Sequence, residues 1–115
     1  MFNLVFYLTP TGKCPVTEFI DSLQENLQAK AVRDLDILTE RGYRLREPYS
    51  KHLKDGLFEL RIQASGDAAR IFYFFFVDET IVLVDGFLKK TKKTPPGELE
   101  KALRYKTDYE RRSSK

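Results

Sequence analysis

"LFELRIQASGDAARIFYFFFVDETIVLVDGFL" (residues 57–88) contains three runs of β-branched and aromatic residues, separated by two short polar turns. The runs predict strands over Leu57 to Ala64, Ala69 to Val77 and Thr80 to Leu88. The turns SGDA and DE are short enough for hairpins, so neighbouring strands are expected to pair antiparallel. A sheet of this kind needs other elements to cover its apolar face.

Helical spacing of apolar residues predicts helices on both sides of this stretch. The first begins at Pro15, where the missing N–H of proline costs nothing. The second begins near Asn26 and ends at Gly42, and the tight joint between the two predicts a helical hairpin. A third helix begins at Thr94-Pro95 and continues to about Arg112.

One more strand, Phe2 to Leu8, precedes the helices and completes the order β-α-α-β-β-β-α. The predicted fold class is therefore α+β, with a small antiparallel sheet packed on an N-terminal helical hairpin. A length of 115 residues with 42% hydrophobic residues is typical of one folded domain, predicted here to span residues 1–115.

The two turns also predict which side chains share a face. With Gly66-Asp67 at the centre of the first turn, Ile62 lies opposite Ile71. With Asp78-Glu79 as the second turn, Phe75 meets Val82 and Tyr73 meets Val84. All of these residues are apolar, so this face is expected to pack on the helical hairpin.

The same register predicts a charged patch on the other face. Arg61 falls opposite Phe72, and Phe87 falls opposite Arg70, so the two arginines become diagonal neighbours about 7–8 Å apart at the backbone. Guanidinium groups match phosphate oxygens, and the flanking rings offer surfaces on which unpaired bases stack.

A purely structural role for these side chains stays open. The arginines are then solvated strand residues, or Arg70 pairs with Asp85 or Glu59. Burial under the C-terminal helix is the alternative for Phe72, and it is the preferred interpretation for Phe74 and Phe76.

Charge is concentrated at one end of the chain. Residues 1–85 hold 10 basic and 13 acidic side chains, whereas residues 86–115 hold 10 basic and 4 acidic ones. Lys89, Lys90, Lys92 and Lys93 directly follow the last strand. A basic segment on a near-neutral body favours a polyanionic partner, although a solvated lysine-rich face explains the charge equally well.

Composition argues against several other classes of protein. One cysteine and one histidine make a structural metal site improbable, and no cofactor is expected. The longest unbroken apolar run, Ile71 to Val77, is too short to span a membrane. No N-terminal signal segment is visible, so a soluble cytoplasmic protein is expected.

Three segments resemble a known family: KHLKDGLFELRI (51–62), ARIFYFF (69–75) and IVLVDGFLKKTKKTP (81–95). They resemble the RelE/HigB-type toxins of type II toxin–antitoxin modules, in particular the phage-derived HigB-like branch. The resemblance implies a small α+β, metal-independent endoribonuclease that cleaves mRNA, typically on the ribosome. It also implies a helix-turn-helix, HigA-like antitoxin as the partner, through which alone the toxin would meet DNA.

The resemblance and the strand faces together give the candidate site. The matching motifs place active-site candidates at Lys54, Arg61, Arg70 and the Lys89-Lys90 pair. The candidates for catalysis are Arg61, Arg70, Lys90 and His52, and the candidates for RNA binding are Lys54, Phe72, Phe87, Lys89 and Lys93.

The general base is left open by the residues. His52 is the one side chain that normally titrates near neutrality, and Asp85, Glu59 or a lysine with a lowered pKa are the alternatives. Some toxins of the superfamily use a Tyr or His near the end of the last strand, where this chain has Asp85 to Leu88. A non-catalytic RNA-binding or protein-binding relative of these toxins is therefore the competing interpretation.

Overall fold

The computed structural model describes residues 1–113 and shows the predicted α+β class, with one five-stranded sheet and three α-helices in that range. The strands are β1 (Asn3–Phe6), β2 (Ser50–Lys54), β3 (Leu57–Ala64), β4 (Asp67–Phe76) and β5 (Thr80–Leu88). The helices are α1 (Pro15–Asp21), α2 (Glu25–Arg41) and α3 (Pro96–Ser113), and a short 3-10 helix (Gly42–Arg44) follows α2.

The sheet is mixed, which corrects the prediction of an antiparallel one. Its strand order is β1-β5-β4-β3-β2, and β1 runs parallel to β5 while the other neighbours are antiparallel. The predicted element order lacked β2, because its sequence SKHLK carries no apolar run. As an edge strand that pairs only with β3, β2 can be polar and still complete the sheet.

The hairpin of β3 and β4 turns one residue earlier than predicted. Ser65 and Gly66 are its central residues, with φ angles of 52° and 82°, and Ala64 pairs with Asp67. Positive φ at both positions is what a two-residue hairpin turn of the favoured type requires. Each residue of β3 therefore pairs with a residue of β4 that lies two positions earlier than predicted. A shift of two leaves the faces as predicted, but it sets Arg61 directly opposite Arg70.

The pairing of β4 with β5 agrees with the prediction along only half of its length. Phe72 lies opposite Asp85 as expected, but the register shifts at this point and Phe75 meets Ile81 instead of Val82. The reason is a turn of three residues, Val77 to Glu79, where two were predicted. Val82 and Val84 consequently face the C-terminal helix and not the helices α1 and α2.

Both faces of the sheet are covered by helices. The residues packed on the α1 and α2 side include Leu35, Leu38, Leu60, Ile62, Ile71 and Leu83, and those on the α3 side include Tyr7, Leu57, Phe72, Phe74, Val82 and Ala102. Phe74 and Phe76 lie under α3, as predicted, and both contact Tyr109. Within residues 1–113, no helix has the length and apolarity needed to cross a membrane.

Gly86 allows α1 to approach the sheet closely. A Cβ atom at this position would overlap the ring of Phe19 and lie 3.0 Å from the carbonyl oxygen of Arg70. Because a packed ring and a strand backbone have little freedom to move, a side chain here should push α1 away from β5.

We therefore expect Gly86→Ala to lower the free energy of unfolding by about 1–3 kcal/mol, the usual cost of overpacking. Urea denaturation measures the change. Gly97→Ala is the matched control, since a Cβ there meets no atom within 4 Å. Equal stabilities of the two variants would contradict the packing argument.

Tyr7 fastens the C-terminal half of α3 to the sheet. Its hydroxyl donates to Asp108 Oδ2 at 2.6 Å, and its ring stacks on Tyr105 with 4.8 Å between centroids. Burial and then this hydrogen bond raise the pKa of Tyr7 to about 12. Because the folded state prefers the neutral phenol, this contribution to stability is present below pH 10 and is lost as the pH rises toward 12.

Tyr7→Phe should lower the free energy of unfolding at pH 7 and flatten the loss of stability between pH 10 and 12. Thermal denaturation across that range measures both effects. Tyr105→Phe leaves the Tyr7 hydroxyl in place and serves as the control. An unchanged alkaline slope in Tyr7→Phe would show that another group causes it.

Candidate anion-binding site

Arg61 and Arg70 lie directly opposite each other on β3 and β4, on the side of the sheet that α3 covers. The Arg61 side chain is 26% exposed, whereas that of Arg70 is 9% exposed. Side chains directly opposite in an antiparallel pair have Cβ atoms about 5 Å apart. The strand pairing therefore holds two like charges together, which is unfavourable unless an anion lies between or above them.

Glu59 supplies one negative charge to this pair. Its side chain is 2% exposed, and its Oε2 lies 3.2 Å from Arg61 Nε and 3.6 Å from Arg70 Nε. A second carboxylate, on the exposed Glu47, lies 3.6 Å from Arg61 at the rim. The interpretation that Arg70 pairs with Glu59 is thus correct in part, but one buried carboxylate serves two guanidinium groups.

Arg70 is incompletely paired. One of its terminal nitrogens donates to the carbonyl of Ala69 at 3.0 Å, but the buried Nε has no hydrogen-bond partner within residues 1–113. Burial lowers the pKa of Arg70, the charge of Glu59 opposes that effect, and Arg61 lowers it further. A buried cation in this state destabilises the fold, and perturbed groups of this kind cluster at functional sites.

Two lysines extend the positive charge of the arginine pair. Lys89 follows β5, and its pKa is lowered by burial first and then by Arg70. Glu59 opposes this shift, and Arg61 and Lys51 add smaller effects in the lowering direction. Lys51 lies opposite Glu59 on the edge strand. Sequence reasoning missed Lys51 because the edge strand itself was missed; the alternation of KHLK would have placed it.

Hydrogen bonds order the lysine-rich segment, residues 89–93, that follows β5. The backbone N–H of Lys89 donates to Ala68, and its ammonium group donates to the carbonyl of Lys92, both at 2.8 Å. At the far end, the Thr94 hydroxyl donates to Glu59 Oε1 at 2.9 Å. The segment is therefore attached to the sheet at both ends, through Ala68 and through Glu59, and Thr94 is a second residue that the sequence did not reveal.

Phe72 and Phe87 do not have the surface that base stacking requires. Phe72 is fully buried and Phe87 is 8% exposed, and their rings stack on each other with 5.4 Å between centroids. They belong to the apolar layer under α3, so the structure does not expose them for the predicted stacking of bases. The buried alternative is the correct one for Phe72.

His52 is not part of the arginine cluster. It pairs with Phe58, whose ring packs toward α1 and α2, so the imidazole lies on the opposite face of the sheet. The ring contacts Phe58 edge-on, and its Nε2 accepts the backbone N–H of Gly56 at 3.2 Å. The structure therefore does not bring the catalytic candidate His52 to the arginine pair.

The remaining lysine candidates, Lys54, Lys90 and Lys93, are exposed. Lys54 ends the edge strand beyond an irregularity in its pairing. Lys90 and its neighbour Lys89 both line a groove that also contains Ser22 and Asp67, on the side of α1 and α2. Lys93 is exposed in the segment before α3. Among the lysines after β5, Lys89 is the one whose pKa is lowered by the charges of Arg70 and Arg61.

Asp85 is held by α3 and not by the arginines. Its Oδ2 lies 3.1 Å from Lys101 Nζ. Burial raises the pKa of Asp85, whereas Lys101 has a raised pKa because its contacts with Asp85 and Glu98 outweigh the effect of burial. Asp85 therefore stabilises the packing of α3 and does not contribute to the charge of the arginine pair.

The arrangement is suited to an anion with several oxygens. Arg61, Arg70, Lys51 and Lys89 carry four positive charges, against Glu59 and the rim residue Glu47. Paired guanidinium groups donate parallel hydrogen bonds to phosphate oxygens, and lysines supply further point charges. Since the side chains of Arg70 and Glu59 are buried, their charges are less screened than they would be on an open surface.

Comparison with known proteins identifies the family of this chain. No curated protein matches the chain. Residues 18–107 match the family described as "Phage derived protein Gp49-like (DUF891)". The matched segment contains α2, all four strands from β2 to β5, and every residue of the cluster around Arg61 and Arg70. This chain belongs to the family of phage-derived, Gp49-like proteins.

Proposed function

We propose that this protein is the toxin of a type II toxin–antitoxin module and acts as a metal-independent endoribonuclease on mRNA at the ribosome, inhibiting translation in the cytoplasm. The Gp49-like family is associated with toxins of such modules. The partner is a helix-turn-helix, HigA-like antitoxin, and contact with DNA is made only through it.

The observation that carries the proposal is the incompletely neutralised pair of arginines. Holding Arg61 opposite Arg70 with one shared carboxylate is unfavourable in the free protein. A phosphodiester bound there supplies the missing negative charge. The charge that develops on phosphate during cleavage is larger still, so the same groups favour the transition state over the substrate.

Metal-free RNA cleavage also requires alignment of the 2′-hydroxyl and a proton for the leaving oxygen. Lys89 is the best-placed acid, since it lies two residues after Phe87, the strand partner of Arg70, and its lowered pKa makes it a better proton donor than an ordinary lysine. Glu59 has both oxygens occupied by Arg61 and Thr94, so it is poorly suited to act as the base. The ribosome and the bound RNA then supply the remaining alignment.

One observation favours a non-catalytic, RNA-binding relative as the second candidate. Within residues 1–113 the one histidine lies on the far face of the sheet, so none faces the arginine pair. Such a relative binds RNA through the same cations without cleaving it. Incubation of the purified protein with mRNA, with and without ribosomes, separates the two functions.

Arg61→Ala and Arg70→Ala should each abolish toxicity in cells that lack the antitoxin. We expect mRNA cleavage on ribosomes to fall by about 10²–10³-fold, because a donor to the developing charge is lost. Cleavage by Arg70→Lys should fall nearly as far, since one ammonium group cannot replace the two parallel donors of a guanidinium group.

Arg104→Ala is the matched control, because Arg104 is an exposed arginine on α3. Circular dichroism establishes that each variant is folded. A folded Arg70→Ala protein with the toxicity of the wild type would refute the assignment of the site.

Lys89 and Lys90 should differ although they are neighbours in the sequence. Lys89→Ala is expected to reduce cleavage by roughly 10²-fold, within the usual range for a general acid, whereas Lys90→Ala should reduce it only a few-fold. Cleavage by the wild type should also decline on the alkaline side at a pH below 10.5, because Lys89 must be protonated and its pKa is lowered. A pH–rate profile under single-turnover conditions measures both effects, and equal losses in the two variants would remove Lys89 from the mechanism.

A further inference from the structure

We propose that the hydrogen bond from Thr94 to Glu59 is a positioning contact that aligns the two arginines and the lysine-rich segment with each other. This inference rests on the proposed function, and it assigns a role to Glu59 and Thr94 that is separate from contact with RNA.

Glu59 is the point at which the two halves of the site meet. Its Oε2 is the acceptor for Arg61 and the nearest carboxylate oxygen to Arg70, while its Oε1 accepts from Thr94. The side chain is almost fully buried, so its oxygens have these groups in place of water. A carboxylate that accepts hydrogen bonds on both oxygens is held in one orientation. The bond from Thr94 therefore restricts the position of Arg61, and the bond from Arg61 restricts that of Thr94.

The lysine-rich segment depends on the same contact. It leaves β5 at Lys89, whose N–H is bonded to Ala68, and reaches α3 two residues after Thr94. Between these points, the hydrogen bonds of Lys89 and Thr91 are made within the segment itself. Thr94 is thus its attachment to the sheet at the downstream end.

A negative charge inside an anion-binding site weakens the binding of RNA, so Glu59 is expected to have a second role that offsets this loss of affinity. If Glu59 orients Arg61 and Arg70, its replacement should change RNA affinity and the rate of RNA cleavage in different directions. Neutral Glu59→Gln should bind RNA as tightly as the wild type or more tightly, because one opposing charge is gone, yet cleave it more slowly. A residue that only stabilises the fold has no reason to change the two quantities in opposite directions.

The experiment compares Thr94→Val, Thr94→Ser and Glu59→Gln with the full-length wild type. RNA affinity is measured by fluorescence anisotropy with a labelled single-stranded RNA, and cleavage by single-turnover assays on programmed ribosomes. Nuclear magnetic resonance of the arginine Nε–H groups reports the order of Arg61 and Arg70 without reference to activity. Thr107→Val, on an exposed part of α3, is the matched control.

We expect Thr94→Val to lower the cleavage rate at saturating RNA by roughly ten-fold, the effect of losing one hydrogen bond to a charged group. RNA affinity should change less than about two-fold, because no charge is removed. The Nε–H of Arg61 should become more mobile, and Thr94→Ser should restore both rate and order.

Unchanged arginine order in Thr94→Val would overturn the positioning role, whatever the activity. An equally slow Thr94→Ser, or equal losses of affinity and rate in Glu59→Gln, would also overturn it. If the wild type cleaves no RNA but the arginines still loosen in Thr94→Val, the positioning contact stands and the proposed ribonuclease function fails.

Discussion

The pairing of β3 with β4 is the constraint on which the rest of the molecule depends. It forms the centre of the sheet, it places apolar residues on both faces for three helices to cover, and it sets Arg61 opposite Arg70. The burial of Ile62, Ile71 and Phe72 fixes this register, because a slip by one residue would exchange the faces. The stability of the apolar layers thus holds two like charges together.

Strand alternation predicted correctly that the two arginines share a face, but the error in the turn made them diagonal neighbours instead of a directly opposed pair. The predicted and observed registers differ by two residues, and a shift of two leaves every side chain on its own face. The same argument failed for Val82 and Val84, because a three-residue turn changes the alternation by one. The face of a residue can therefore be derived from the neighbouring strand only when the length of the turn between the two strands is known.

The parts of the site that the sequence did not reveal are those that depend on three-dimensional packing. Burial of Phe72 and Phe87 follows from where α3 crosses the sheet, which no local pattern encodes. Lys51 and His52 are neighbours in the sequence, but the edge strand sends one toward the arginines and the other away from them. Thr94 is 35 residues from Glu59, and nothing in the sequence links the two.

The parallel pairing of β1 with β5 has a consequence for synthesis of the chain. Asn3 and Leu4 pair with Thr80 and Ile81, and Tyr7 bonds to a residue 101 positions later. The first strand is made long before its partner β5, and contacts of such long range slow folding. A nascent copy of this protein cannot assemble the complete sheet until β5 has left the ribosome.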